Sequence, residues 1–151
     1  MSLSHSHIDT CPVPIALDIP LLASELERRL PEAIFALLLG SAAPTGVIPA
    51  RSDLDLAFYL QPNTVLSLDF QARIENAVDA QTQGRIRVDA GTLNQADPVY
   101  RFEALKGKLL FCRNDETYLD FFSRTSRDYE MQMVLYARQR AYRLSRKMTC
   151  N

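Results

Sequence analysis

One segment, residues 37–60, constrains the fold of this 151-residue chain more than any other. It runs from apolar residues into a small-residue turn, Gly40-Ser41, and then into a second apolar run that carries Asp53 and Asp55. Side chains two positions apart on a strand share a face, so the two carboxylates are predicted to project together while the leucines beside them point into the core. The segment therefore predicts two buried strands joined by a loop, with two acids at the start of the second strand.

The acids and the turn together predict a site for a metal ion and a phosphate group. Two neighbouring carboxylates repel each other unless a cation lies between them. Mg²⁺ is typically held by one or two carboxylates together with substrate phosphates. Gly40 allows the backbone to approach a phosphate closely, and Ser41 adds a hydroxyl and an exposed amide.

A third acid follows in the next strand-like run, Arg85–Ala90. Ile86 and Val88 alternate there with polar residues, and Asp89 lies on the polar side of the alternation. If this strand pairs beside the strand with the first two acids, three carboxylates converge, as two-metal phosphoryl and nucleotidyl transfer requires. Our hypothesis is that Asp89 bridges the metal ions or takes the proton from an attacking hydroxyl.

Gly40-Ser41, Asp53-Leu-Asp55 and Asp89 resemble, in order and in type of element, the motifs of the DNA polymerase β-like nucleotidyltransferase superfamily. The resemblance is greatest to its minimal branch, the MNT-domain antitoxins that are paired with HEPN toxins. The Leu-Asn step after the third acid and the Lys-Gly turn at 106–107 are also similar to that branch. The likeness extends from about Ala33 to Phe111.

The resemblance implies an enzyme, namely an Mg²⁺-dependent nucleotidyltransferase that uses ATP as its substrate. It implies an antitoxin that transfers AMP to a tyrosine hydroxyl of the cognate HEPN ribonuclease, with which it forms a hetero-oligomer. Carried over to this chain, Asp53, Asp55 and Asp89 are the expected catalytic and metal-binding residues. The expected nucleotide-binding residues are Gly40, Ser41, Arg51 and Ser52.

The chain departs from the family pattern in two ways. The loop between Gly-Ser and the first acid is one residue longer than usual, and Ala42, Ala43 and Pro44 stand where the family often has an arginine that meets the triphosphate. The nearest cation in the sequence is Arg51. These departures keep open a catalytically degenerate antitoxin that neutralises its toxin by binding alone. A small-molecule nucleotidyltransferase, such as one that modifies aminoglycosides, is a further alternative.

Composition excludes several other classes of protein. Hydrophobic residues make up 47% and charged residues 23% of the chain, and the net charge is -1, so sequence-specific nucleic-acid binding is not expected. No apolar run approaches the roughly 20 residues that cross a membrane. The three cysteines, Cys11, Cys112 and Cys150, are far apart and odd in number, which favours reduced thiols in the cytoplasm.

The pattern along the chain predicts an α+β fold in which helices flank a small mixed sheet and a long helix ends the chain. Residues 1–19 are expected to be a flexible lead, and residues 20–148 a single nucleotidyltransferase domain. Its expected helices are 20–30, 65–81, 97–106 and a helical region at 115–148; its expected strands are 33–39, 53–60, 85–90 and 108–111. The C-terminal region is acidic first and basic last, which suits the helix dipole. Its basic end, which carries Tyr136 and Tyr142, is alternatively a docking surface for an acidic partner or for RNA that the partner holds.

Overall fold

The two apolar runs of the 37–60 segment pair with each other at the centre of a four-stranded sheet. The structure, a computed structural model, describes residues 11–149. Its elements in chain order are β1 (Ile15–Ala16), α1 (Ile19–Arg29), β2 (Ala33–Leu39), β3 (Val47–Ile48), β4 (Leu54–Leu60), α2 (Leu68–Thr82), β5 (Val88–Thr92), α3 (Pro98–Leu105), β6 (Lys108–Cys112) and α4 (Asp115–Thr149). The sheet has the order β5-β4-β2-β6, and β4–β5 is its parallel pair. This mixed sheet with flanking helices confirms the predicted α+β class.

Helices α1 and α2 cover one face of the sheet. Asp18 caps α1 by accepting a hydrogen bond from the backbone N–H of Leu21 (3.1 Å), and Ser67 caps α2 in the same way through Phe70 (3.2 Å). Each helix buries one apolar stripe, and these stripes pack on the strand residues that face them; the cluster includes Leu22, Leu26, Phe70, Ile74, Leu38, Leu54, Leu56 and Phe58. Leu66, which lies within the helix predicted at 65–81, instead precedes α2 and is exposed.

The opposite face of the sheet is covered by α3 and by the beginning of α4. Its core contains Phe35, Leu37 and Ala57 from the central strands, together with Ala104 of α3 and Phe121 of α4. The two helices cover only one end of this face. At the other end, Leu39 and the acids are partly or fully exposed. The candidate site therefore lies on the α3 and α4 side of the sheet.

Helix α4 is much longer than the sheet it packs against. Its 35 residues span about 50 Å at 1.5 Å per residue. Phe121 and Thr125, near its start, are buried, whereas Val134, Leu135 and Leu144 are each about half exposed. The apolar side chains of α4 thus pack on the domain in its first half, as far as Tyr129, which stacks on Phe102 of α3. None of the helices between residues 11 and 149 is long and apolar enough to cross a membrane.

Part of the segment that we expected to be a flexible lead lies within the described residues, and that part packs on the domain. Ile15 pairs with Ile48 in a small antiparallel ladder between β1 and β3, and Cys11 is buried with only 4% of its surface exposed. The backbone N–H of Arg51 donates to the carbonyl of Cys11 (2.7 Å), which ties this segment to the loop before β4. Strands of two residues carry no readable periodicity, which is why the sequence did not reveal them. Residues 1–10 and Cys150 lie outside the described residues.

Candidate functional site

The turn after β2 brings the backbone of Gly40 against a carboxylate. Gly40 has a φ of 69°, in the left-handed region, and opens a 3₁₀ turn, Gly40–Ala42. A Cβ at this position would lie 2.5 Å from Oδ2 of Asp55. The backbone angle therefore favours glycine here, and a larger residue would have to displace the Asp55 carboxylate.

The three acids lie on one face of the sheet at neighbouring positions. Asp55 of β4 is in register with Leu39 of β2 on one side and with Asp89 of β5 on the other. Asp53 precedes β4 by one residue and alternates with buried Leu54, so it shares the face of Asp55. The pairing of β5 beside β4, on which the convergence of the acids depended, is thus present.

The electrostatics of Asp55 reflect this crowding. Burial raises the pKa of its carboxyl, and the negative charges of Asp89 and then Asp53 raise the pKa further. A cation placed among the three groups would remove that penalty, because opposite charge favours the ionised form. The three carboxylates therefore form a region of negative potential, and a bound cation would stabilise their ionised state.

Mg²⁺ takes oxygen ligands, and carboxylates supply them, so the chemistry of the three acids fits that ion. Within residues 11–149, however, no three His, Cys, Asp or Glu side chains form a ready-made metal cluster. Mg²⁺ binding by Asp53, Asp55 and Asp89 stays a prediction from the sequence.

The remaining predicted site residues, Ser41, Ser52 and Arg51, differ in exposure and in backbone conformation. Ser41 follows Gly40 and is exposed, and Ser52 is half-buried just before the first acid. Arg51 is exposed with a left-handed φ of 62°, and its backbone is held by Cys11. Arg51 does not line the cleft beside Gly40, although it is the nearest cation to the turn in sequence.

That cleft, of about 550 Å³, contains residues that the sequence analysis did not assign to the site. It lies between the Gly40 turn and the α3–β6 turn, and it is lined by Leu39, Gly40, Ala43, Pro44, Glu103, Lys106, Gly107 and Lys108. The turns meet because β6 pairs with β2, with Lys108 opposite Leu38. The Lys-Gly-Lys run is visible in the sequence, but its position beside Gly40 depends on this long-range pairing.

Tyr100 is a second residue near the acids that the sequence analysis missed. Its hydroxyl rests on β5 at Gly91, where any Cβ would overlap it. Burial raises the pKa of Tyr100, and the charges of Asp89 and Asp55 add to the rise. Its position is fixed by the start of α3, where its N–H donates to Asp97 (3.0 Å).

Comparison with known proteins agrees with this geometry. The family model described as "Polymerase beta, Nucleotidyltransferase" matches residues 22–116, well over half of the chain. Comparison with curated protein sequences finds no significant match.

Solved structures share the fold at low sequence identity. A toxin–antitoxin structure with AMP-PNP is 20% identical, covers 83% of this chain and 94% of its own, and has a TM-score of 0.59. A structure from Shewanella oneidensis has 18% identity, coverage of 82% and 91%, and a TM-score of 0.56. A third is a tri-AMPylated HEPN toxin from Shewanella oneidensis in complex with an MNT antitoxin, with 17% identity, coverage of 82% and 93%, and a TM-score of 0.54. At these identities the likeness shows the fold.

Proposed function

The chain belongs to the polymerase β nucleotidyltransferase family, and from that premise we propose that it is the antitoxin of a HEPN/MNT pair that transfers AMP from ATP to a tyrosine hydroxyl of its toxin. One observation carries the proposal: Asp55 lies in register with Asp89, and Gly40 of the adjoining turn is so close to Asp55 that a Cβ there would lie 2.5 Å from its Oδ2. The turn that we expect to bind phosphate is thus next to the acids that we expect to bind the metal. Two of the structural neighbours, a toxin–antitoxin pair with AMP-PNP and an AMPylated HEPN toxin in complex with an MNT antitoxin, support the choice of ATP and of partner.

The residues of the chain divide the work of such a transfer. Gly40 and Ser41 offer backbone amides and a hydroxyl to the phosphates. Asp53, Asp55 and Asp89 would hold Mg²⁺, which would neutralise charge on the transferring group. Exposed Asp89 is the candidate base for the proton of the acceptor hydroxyl. The acceptor oxygen bonds to the α-phosphorus as the bond to the leaving pyrophosphate breaks.

The second half of α4 is the surface that we assign to the toxin. Met131, Val134 and Leu135 are 47–68% exposed there, and the basic and aromatic residues predicted to dock a partner follow them. Exposed apolar side chains beside arginine and tyrosine are typical of interface anchors. ATP as substrate and the unpaired thiols of Cys11 and Cys112 agree with a cytoplasmic reaction.

The exposed half of α4 also favours a second candidate, in which the chain neutralises its toxin by binding alone. Neutralisation by binding does not depend on the acids. A chain that only binds would therefore neutralise the toxin equally well after Asp53 and Asp55 are replaced, and this separates it from a nucleotidyltransferase.

ATP labelled at either the α- or the γ-phosphate tests the proposed chemistry directly. The chain is incubated with Mg²⁺ and the toxin encoded beside it, and the toxin is then isolated and counted. Label from the α-phosphate alone is expected. Label from the γ-phosphate would show a phosphoryl rather than a nucleotidyl transfer, and no label from either would favour binding alone.

A further inference from the structure

Two of the three lysines in the chain stand at one turn, opposite the glycine turn of the candidate site. Lys106 ends α3 and Lys108 begins β6, and both line the cleft of about 550 Å³ that Gly40 lines from the other side. Gly107 between them packs so closely on the end of β2 that a Cβ would overlap the carbonyl oxygen of Leu38. The turn is therefore held at a fixed position beside the site.

Gly40 connects this cleft to the acids. The same residue lines the cleft and meets the carboxylate of Asp55, so a chain of phosphates with its first member at the acids can continue past Gly40 into the cleft. Positive charge suits the far end of such a chain, because the terminal phosphates there lie beyond any cation that the acids would hold.

Both lysines are exposed, so a bound anion can reach them. Lys106 makes an ion pair with Glu103 (3.0 Å), which also lines the cleft, and its Nζ lies 5.2 Å from the centre of the Phe102 ring; both side chains of the ion pair are more than half exposed. Exposed pairs of this kind contribute little to stability. Lys108 is exposed on the edge strand of the sheet.

The opposite wall of the cleft supplies no charge. Ala43 and Pro44, which follow the Gly-Ser turn and line this wall, are uncharged. Arg51 is held away from the cleft lining by its own loop. The cations that reach the cleft lining thus come from the α3–β6 turn, not from the loop that the sequence suggested.

We propose that this cleft binds the two terminal phosphates of the nucleoside triphosphate, and the pyrophosphate released from it, through Lys106 and Lys108. The inference rests on the proposed nucleotidyl transfer and adds its polyphosphate subsite. It makes the chain selective for triphosphates over monophosphates, since a monophosphate does not extend into the cleft.

Calorimetry on the isolated chain with Mg²⁺ tests the subsite without any turnover. The probes are AMP-PNP, AMP and inorganic pyrophosphate. The variants are Lys106→Gln plus Lys108→Gln together and Arg51→Gln alone, with Arg28→Gln on the exposed side of α1 as the matched control. Each lysine contributes a charge-assisted bond, so the double variant is expected to bind AMP-PNP and pyrophosphate at least about tenfold more weakly. AMP affinity, the control variant and the thermal unfolding midpoint are expected to stay unchanged.

Three results would overturn the inference. AMP-PNP binding at wild-type strength by the double variant would show that the lysines hold no phosphate. An equal loss for AMP would show general damage to the site, and a loss confined to Arg51→Gln would return the role to that residue. These results are distinct from a failure of the proposed function, which would appear as a wild-type chain that binds no nucleotide at all. Equal binding of AMP-PNP by the wild type and the double variant removes only the lysine subsite.

Discussion

Gly40 meets two separate requirements, and each can be isolated by substitution. Gly40→Ala places a Cβ at a φ of 69° and 2.5 Å from Asp55 Oδ2. Gly84 has nearly the same φ, 70°, but nothing within 4 Å of its Cβ position, so Gly84→Ala adds backbone strain alone. In denaturant unfolding, backbone strain is expected to cost each variant about 1–2 kcal/mol of stability. Gly40→Ala is expected to lose further stability, because its Cβ also meets Asp55, and to abolish nucleotidyl transfer. Equal stability and activity of the two variants would contradict the close approach of Gly40 to Asp55.

Asp55 is expected to lower the stability of the protein in the absence of a cation. Its pKa is raised in the folded state by burial, by Asp89 and by Asp53. The unfolded chain therefore releases this proton at lower pH, and stability falls as pH rises through the folded pKa. Without Mg²⁺ at pH 7, Asp55→Asn is expected to unfold a few degrees higher than the wild type, and the gain should vanish at acidic pH. The matched control is Asp120→Asn on exposed α4, which should show no gain.

At the scale of elements, the packing of α3 on β5 is set by the contact between Tyr100 and Gly91. Gly91→Ala is expected to cost about 1–3 kcal/mol of stability, because the new Cβ overlaps the Tyr100 hydroxyl. Tyr100→Phe removes that oxygen, so the double variant should recover most of the loss in a double-mutant cycle. Additive losses would show that the hydroxyl does not lie on Gly91.

Elements with strong local patterns were predictable, whereas those that depend on distant partners were not. The run around β2 is continuously apolar and those around β4, α1 and α4 are patterned, and their predicted and observed bounds differ by one residue or less at each end. β5 was predicted at 85–90 but is Val88–Thr92, because its bounds follow its pairing with β4 rather than its own alternation.

The site shows the same division between local and distant information. The acids could be aligned from strand periodicity and a single assumption about pairing. Lys106, Lys108 and Tyr100 could not be assigned, because their approach to the site depends on the β2–β6 ladder and on how α3 packs. Arg51 looked best placed only because it is near in sequence.

At the scale of the whole molecule, the outer half of α4 stands apart from the domain that holds the site. Val134→Asp plus Leu135→Glu alters two side chains that are each about half exposed, so thermal stability and AMP-PNP binding are expected to stay unchanged. Binding of the toxin, measured by size-exclusion chromatography, is expected to be lost. Ser123→Asp, at an exposed position near the start of the same helix, is the control; a complex that survives the double substitution would move the interface elsewhere.

The central claim is that this chain transfers a nucleotide to its toxin through the acids of β4. Its most direct test is the intact mass of the toxin encoded beside it, after incubation with the chain, ATP and Mg²⁺. Wild-type chain is expected to raise the mass in steps of one AMP on a tyrosine, and Asp53→Asn plus Asp55→Asn is expected to leave the mass unchanged while still forming the complex. An unmodified toxin that is bound and silenced equally by both proteins would contradict the claim and establish neutralisation by binding.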